Sequence, residues 1–507
     1  MPASRAVPLC LLSVILWAAE PPAIRKQGIV NAASQRPAAV GGAIARGSVI
    51  SIHGVRFSPA MEGNRVTIES RGHTRTLPVL RAGPQRIDAW VLPDAPLGEA
   101  RLTVTANGLA SAPETIAILK SAPGLYSANG QGWGPAQSGN TPANSAPPGG
   151  RVTLVATGLS IDDKPTLLVG NVPARVSLEQ PTNHDVLIEV RIPPQAPEGC
   201  YVPVYARVPG APPSNTVTIA IHRGGGPCVP AAGDPAAGWN GGKTAILLLS
   251  RTVARPLDPP HERLEDEVNA GFFDVPAGKA RASPLLLLPP PGACTTWSGA
   301  LKADTLMGMS IWTMLFGSIP GTGLDAGPWI AVRTSSLQLR APYVTGAPGL
   351  YRRTLSSPAG RMPSRFRMSL EAGRFALAGP GGPQVGPFAT ALPAPVPFTM
   401  SSQPPERIAR AQPVAVEWNA DRPAGTMILV LVGADPNLNV ASLAYCTAPQ
   451  SAGRLSVPAD LLSQLPAGSG QLVLATWSRQ SVAQPPTGIA HMFALSGYAR
   501  SWEVRLE

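Results

Sequence analysis

The chain has few charged residues. They make up 14% of its 507 residues, whereas an ordinary soluble domain has about 25%. Long helices and coiled coils need charged surfaces and few breakers, and this chain has 52 Gly and 59 Pro, so both classes are excluded. Aromatic residues are also scarce, at 5%, but the hydrophobic share of 44% is enough to form cores. The composition therefore argues against disorder of the whole chain and favours a turn-rich folded protein.

Lysine is nearly absent, with six residues, so arginine supplies almost all of the formal net charge of +11. The arginines are scattered, and neither a basic stripe nor basic residues interleaved with aromatics occurs. Nucleic-acid binding needs such a patch. We therefore expect no nucleic-acid partner and a mildly basic surface, with contact to an acidic polysaccharide or an anionic envelope as the alternative.

A hydrophobic run that could span a membrane is missing, since about 18 apolar residues are needed. The apolar run 6–18 is shorter, follows Arg5 and precedes small residues, as in an export signal. The longest later candidate, 305–319, contains Gly and Ser and ends in Pro. We therefore predict a signal peptide at residues 1–19, an extracellular or cell-surface location and no membrane span after cleavage. An uncleaved anchor or a buried N-terminal strand is the alternative.

Cysteine is rare, with five residues, and the count becomes four if Cys10 leaves with the signal peptide. An even number in an exported chain predicts disulfides. Three connectivities are possible, and we favour Cys200–Cys228 because both residues lie near the end of one predicted domain. Cys294–Cys446 then follows only by elimination. A four-cysteine zinc site would need CxxC pairs, which the sequence lacks, so we expect no metal.

Short runs that alternate apolar and polar residues dominate what is present, with turn residues every 8–12 positions, as in β-sandwiches. There is also an internal repeat. Residues 46–58 align with 149–160, and residues 91–118 align with 191–221. The period of about 100 residues is the size of one immunoglobulin-like sandwich.

Several segments of the first half carry a resemblance to a known family. They are GIVNAAS (28–34), GSVISIHG (47–54), GPQRIDAWVLP (83–93), NGLASAP (107–113), SAPGLY (121–126), PEGCYVPV (197–204) and GGGPC (224–228). Together they resemble the paired immunoglobulin-like (IPT/TIG-type) domains of exported, largely uncharacterised acidobacterial proteins. The resemblance implies two such domains, at 26–121 and 122–228, without a catalytic role. Arg86 and Asp88 depart from the usual Gln-Ile-Asn pattern, a difference expected to affect a loop and an edge and not the fold.

The second half reads as a further β series that follows a Gly/Pro/Ala linker at 229–242. We predict a β-rich domain at 243–400 and a C-terminal β-sandwich at 401–507. The only helices expected are short, at 262–268 and 458–465. The whole chain is therefore expected to be all-β, with tandem immunoglobulin-like β-sandwiches forming three to four domains in series.

Catalytic and cofactor signatures are weak. No GxSxG motif occurs. The sequence AGWNGGKT at 237–244 fits a loose phosphate-loop pattern but precedes a strand-like run, and HERLEDE at 261–267 has Glu265 where a zinc-protease helix has its second histidine. We expect no cofactor. If the chain hydrolyses glycosides with two distant carboxylates, Asp325 in LDAGP and Glu417 beside a tryptophan are the candidates.

Trp133 is the candidate for a ligand-binding surface, because it lies in the Gly-rich loop NGQGWGPAQ (129–137) and ring faces stack on sugars. We predict an exported, non-catalytic protein with a structural, adhesive or ligand-binding role. Polysaccharide or an envelope protein is the expected partner class, and the oligomeric state stays open. The alternative is a secreted polysaccharide-degrading enzyme with its site in 243–400.

Overall fold

The computed structural model describes most of the chain. It covers residues 20–180, 184–228, 241–258, 262–277, 287–301, 312, 319, 321–335, 337–356, 368–421, 425–480, 482 and 484–507. Some predicted features fall outside these residues: the signal peptide at 1–19 with Cys10, most of the linker at 229–242, most of the apolar run 305–319, half of the loop 237–244, and His261. Within the ranges given, no helix is long and apolar enough to cross a membrane.

The all-β class predicted from the sequence is confirmed. Alternation of apolar and polar residues produces strands with one buried face, as in Asn64–Ser70, where every second residue is buried. The only α-helix with defined bounds in the described ranges is α1 (Ala459–Leu462), which falls within the predicted helix 458–465. The 3-10 helices there are Ala38–Val40, Met61–Gly63 and Gln450–Ala452.

The first unit is a two-sheet sandwich of immunoglobulin size. Its strands are β1 (Ala23–Asn31), β2 (Ile44–Ala45), β3 (Val49–Val55), β4 (Asn64–Ser70), β5 (His73–Leu77), β6 (Val79–Gly83), β7 (Arg86–Trp90), β8 (Gly98–Ala106), β9 (Leu109–Ala110) and β10 (Glu114–Leu119). One sheet has the order β1-β3-β7-β6, and the other has β2-β10-β8-β4-β5, with β9 beside β8. Ile52 and Ile87 from the first sheet share a core with Ile68 and Leu102 from the second.

The second unit repeats this plan with one continuous sheet. Its strands are β11 (Gly124–Leu125), β12 (Arg151–Thr157), β13 (Thr166–Val169), β14 (Val172–Glu179), β15 (Val186–Arg191), β16 (Gly199–Arg207) and β17 (Val217–Ile221), in the order β11-β12-β15-β14-β13-β16-β17. The start of β14 pairs with β13 and its end pairs with β15, so this strand passes from one layer of the core to the other. Gly98 and Gly199 occupy equivalent positions in the repeated segments 91–118 and 191–221, but only Gly98 has a positive φ, of +99°.

The second half contains the longest strands. They are β18 (Gly242–Arg255), β19 (Arg263–Val275), β20 (Cys294–Leu301), β21 (Thr322–Gly323), β22 (Trp329–Arg333), β23 (Gln338–Pro342), β24 (Leu350–Ser356), β25 (Arg374–Gly379), β26 (Phe388–Pro393), β27 (Arg407–Ile408), β28 (Val414–Glu417), β29 (Thr426–Asp435), β30 (Val440–Pro449), β31 (Arg454–Val457), β32 (Gly468–Gln480) and β33 (His491–Leu506). Among the described residues of this half, these strands form three sheets: a ten-stranded sheet, the four-stranded sheet β23-β22-β25-β26, and the pair β28-β31.

The ten-stranded sheet joins strands from both sides of residue 400. Its main order is β20-β30-β29-β32-β33-β18-β19-β21, and β18 pairs in parallel with β33 from Thr244 opposite His491 to Arg255 opposite Trp502. The predicted division into 243–400 and 401–507 stays a prediction, but a single sheet continues across it.

The helix predicted at 262–268 is wrong, because these residues begin β19. Residues from Arg263 onward pair with β18 along its whole length, and Asp266 bonds Arg251 on that strand. Long-range pairing therefore overrides the local helix preference of the Glu-rich segment.

The four-stranded sheet covers one face of the ten-stranded sheet. Ile330, Val332 and Leu377 from the smaller sheet share a core with Leu247 and Phe272 from the larger one. This packing brings the loops at one end of both layers together, which positions the site described next.

Candidate functional site

Three loops of the second half line a groove of about 560 Å³. They are 324–328 between β21 and β22, 343–349 between β23 and β24, and 380–387 between β25 and β26. We call it the three-loop groove. Its lining consists mainly of Gly and Pro, and its polar side chains are Asp325, Tyr343 and Gln384. Loop clusters at one end of a sandwich are common binding sites, because the sheets hold them rigidly.

A buried tyrosine fixes the first loop. Tyr351 is 1% exposed, its hydroxyl donates to the Gly327 carbonyl at 2.7 Å, and the Ala326 N–H donates to the hydroxyl at 3.1 Å. Burial raises the pKa of Tyr351, so the hydroxyl keeps its proton and remains a donor.

Backbone contacts join the loops to each other. The Asp325 N–H donates to Gln384 Oε1 at 2.8 Å. A Cβ at Gly323 would lie 2.0 Å from the Pro348 carbonyl oxygen, and one at Gly327, where φ is +105°, would lie 2.4 Å from the Gly381 carbonyl oxygen. Only glycine permits these approaches, so the groove is preformed.

The groove presents an aromatic ring and a carboxylate to solvent. Tyr343 is 41% exposed, and its ring meets that of Tyr351 edge to face, with centroids 5.7 Å apart. The exposed Asp325 turns one oxygen, Oδ1, to the Gly327 N–H at 2.8 Å. An exposed ring beside polar acceptors and an amide suits a ligand with apolar CH faces and hydroxyl groups.

The two predicted carboxylates do not meet. Glu417 lies in β28, 3.6 Å from Arg454 of β31, and neither residue lines the groove. Asp325 is the single carboxylate among the described residues that line it. A search of the described ranges finds no group of three or more His, Cys, Asp or Glu residues that could hold a metal ion.

Trp133, predicted on a ligand-binding surface, is a core residue in the structure. It is 5% exposed and meets Trp297 of β20 edge to face, with ring centroids 5.5 Å apart. The same cluster contains Cys200, Tyr201 and Leu287. The Gly-rich loop folds over the junction between the second unit and the second half, which leaves no exposed ring face for stacking.

Both predicted disulfides are present. Cys200 in β16 bonds Cys228, with Cα atoms 5.5 Å apart. Cys294 in β20 bonds Cys446 directly opposite in β30, and both residues are 0% exposed.

Sequence reasoning missed Tyr343, the exposed ring of the groove. The signal was an aromatic residue in the stretch with Gly and Pro between β23 and β24, at 343–349. That stretch resembles many turns, and the residues that share the groove with Tyr343 lie up to 41 positions away in the chain, at Gln384.

Comparisons with known proteins give no family. No family model and no curated protein matches the chain. Among solved structures, the chain is similar to a plexin A4 extracellular region (14% identity, 42% of this chain and 19% of that chain, TM-score 0.18). It is also similar to a tetra-tandem repeat from the extending region of a large adhesion protein (11% identity, 96% of this chain and 98% of that chain, TM-score 0.14). A third similar structure is that of SGBP-B from a Bacteroides ovatus mixed-linkage glucan utilization locus, in complex with a mixed-linkage heptasaccharide (9% identity, 82% of this chain and 92% of that chain, TM-score 0.15).

The chain spans about a fifth of the plexin region, although it spans nearly all of the adhesion repeat.

Proposed function

We propose that the chain is an exported, non-catalytic, surface or secreted protein that binds a neutral carbohydrate in the three-loop groove. The observation that carries the proposal is the exposed Tyr343 ring beside Asp325 and Gln384 in a preformed groove. Sugar rings offer CH faces for stacking and hydroxyls for hydrogen bonds to carboxylate and amide groups.

The charge of the groove favours a neutral sugar. Asp325 is the only charged side chain among its described lining residues. An unpaired carboxylate repels the carboxylates of uronic acids. Neutral glycans such as glucans, xylans and mannans therefore fit better than acidic ones, despite the net charge of +11 on the whole chain.

Export is supported by the two disulfides, because such bonds persist in oxidising compartments. The apolar N-terminal run and the resemblance of residues 26–228 to IPT/TIG-type domains support the same location. The absence of catalysis is part of the proposal, since glycoside hydrolysis uses two carboxylates about 5–10 Å apart, and Asp325 has no such partner among the described lining residues.

Calorimetric titration of the full chain with mixed-linkage glucan, xylan, galactomannan and polygalacturonate tests the proposal. At least one neutral polysaccharide is expected to bind, and Tyr343→Ala to weaken it about tenfold or more, as for an aromatic anchor. Ile161→Ala is the matched control, because Ile161 is 55% exposed in the second unit, away from the groove. Its affinity should equal that of the wild type.

Asp325→Asn separates charge from shape, because an amide oxygen still accepts from the Gly327 N–H. This variant should gain affinity for polygalacturonate relative to the wild type. Failure of all four polysaccharides to bind, or unchanged binding by Tyr343→Ala, contradicts the proposal. Release of new reducing ends from any of them would favour the secreted-enzyme alternative.

A further inference from the structure

The outward face of the four-stranded sheet carries arginines. Ile330 and Val332 of β22 pack toward the ten-stranded sheet, so the alternate residues of this strand and of its neighbours face away from it. Arg333 in β22, Arg340 in β23 and Arg374 in β25 are among these outward residues, and all three are exposed. We call the surface that these three residues form the arginine face.

The three arginines lie on one diagonal line across β23, β22 and β25. Arg340 is opposite Ala331, which is two residues from Arg333 on the same strand. Arg333 is opposite Ala376, which is two residues from Arg374. Each arginine is therefore the diagonal neighbour of the next, and such neighbours lie about 7–8 Å apart. The cationic groups are thus spaced regularly along one direction.

No acidic residue compensates these charges nearby. The four strands of the sheet contain no Asp or Glu. Among the described residues, no carboxylate lies within 4.0 Å of the guanidinium groups of the arginine face. Glu371, the acidic residue closest to Arg374 in the chain, lies 3.9 Å from Arg251 instead. The arginine face therefore has three net positive charges that are open to an anion from solution.

A tryptophan ring holds one of these cations in place. Arg340 Cζ lies 4.4 Å from the ring centroid of the half-buried Trp329, on the neighbouring strand. Arg353 donates from Nη1 to the Arg340 carbonyl at 2.9 Å, which adds a further guanidinium at the edge of the face. The planar guanidinium fork binds a carboxylate through two parallel hydrogen bonds. The face is therefore suited to carboxylate groups.

The surface around the arginines is smooth and has few large apolar groups. Its outward residues in β25 and β26 include Ala376, Ala378, Ala389 and Ala391. Trp329 is the only large hydrophobic side chain among the described outward residues of the four strands. A membrane surface would need projecting apolar side chains, and single-stranded nucleic acid would need exposed rings. An extended, hydrophilic, anionic chain fits this surface better.

We infer that the arginine face binds an acidic polysaccharide whose sugar residues carry carboxylates. One chain crosses the three strands along the diagonal, and the carboxylates of separate uronic acid residues pair with Arg340, Arg333 and Arg374. Such a chain suits the face because its charge also recurs along one direction. The inference does not depend on the three-loop groove, since none of the three arginines lines it.

Calorimetric titration of the full chain with polygalacturonate tests this inference. The triple variant Arg333→Gln/Arg340→Gln/Arg374→Gln should bind about tenfold or more weakly, because it removes every charged contact on the line. The matched control is Arg65→Gln/Arg71→Gln/Arg101→Gln, which makes the same change in net charge at exposed positions of the first unit. The control should bind as the wild type does, and thermal unfolding checks that both variants are folded.

Two further titrations identify the kind of contact. Wild-type binding should weaken about fivefold or more as NaCl rises from about 0.05 M to about 0.5 M, because salt screens exposed ion pairs. Tyr343→Ala should bind polygalacturonate as the wild type does, which separates the arginine face from the three-loop groove. Duplex DNA should bind less tightly at equal charge concentration, because it is too wide to reach the alanines beside the arginines.

Three results would overturn the inference. The first is that polygalacturonate does not bind the wild type, and the second is that both triple variants lose the same affinity. The third is that duplex DNA binds as tightly as polygalacturonate, since the face would then attract polyanions in general.

Discussion

Tyr351→Phe is the substitution that probes how the three-loop groove is held. It keeps the ring, and therefore the edge-to-face contact with Phe272 at 5.7 Å, but removes the hydroxyl that bonds two loop residues. The Ala326 N–H becomes a buried donor without a partner, since Ala326 is 0% exposed. Such a group costs about 1–3 kcal/mol. Gly327 is only half-buried, so its carbonyl regains water and adds little, and we expect a total loss of about 1–3 kcal/mol in the free energy of unfolding.

Urea unfolding followed by tryptophan fluorescence measures this loss in the second half of the chain, and a glucan titration measures its effect on the groove. Affinity should fall several-fold, because the first loop is no longer fixed. Tyr343→Phe is the matched control, since the same atom is removed at an exposed position, and surface changes typically stay within about 0.5 kcal/mol. If Tyr351→Phe were as stable as Tyr343→Phe, the reasoning about the loop would be refuted.

Three further predictions concern stability. Asp266→Asn should destabilise the chain by about 3–5 kcal/mol, because it leaves Arg251 buried without its carboxylate. The double variant Arg251→Met/Asp266→Leu should recover most of this loss in thermal unfolding. Burial raises the pKa of Tyr205 to about 12. The stability that its neutral hydroxyl contributes is therefore present below about pH 10 and lost as the pH rises through about 12. Tyr205→Phe should reduce the fall in melting temperature between about pH 10 and pH 12. Replacing both residues of Cys294–Cys446 by Ala should cost about 5 kcal/mol on the chain-entropy estimate for a separation of 152 residues, measured by denaturant unfolding without reductant.

Local pattern was sufficient for much of the fold. Alternating runs such as RVTLVATG coincide with strands, here β12 (Arg151–Thr157), because a half-buried strand needs that period of two. The even number of cysteines predicted two disulfides but left three connectivities, and the position of Cys200 and Cys228 near the end of one predicted domain selected the pairing that the structure has, with Cys294–Cys446 following by elimination.

Features that depend on long-range pairing could not be predicted in the same way. β18 is buried on both faces and pairs in parallel with β33, about 250 residues later. The sequence near β18 does not indicate which strand it pairs with. The Glu-rich segment at 262–268 reads as a helix until its pairing with β18 is known. The three-loop groove combines Asp325, Tyr343 and Gln384 from separate loops, so only the packing of the two sheets reveals it.

Hydroxyl-radical footprinting in the presence of a bound neutral polysaccharide tests the central claim most directly. Tyr343 and Met61 are both exposed, at 41% and 49%, and both side chains react with the radical, but only Tyr343 lies in the groove. Protection of Tyr343 with unchanged oxidation of Met61 is the predicted result. Protection elsewhere while Tyr343 stays fully reactive would contradict carbohydrate binding in the three-loop groove.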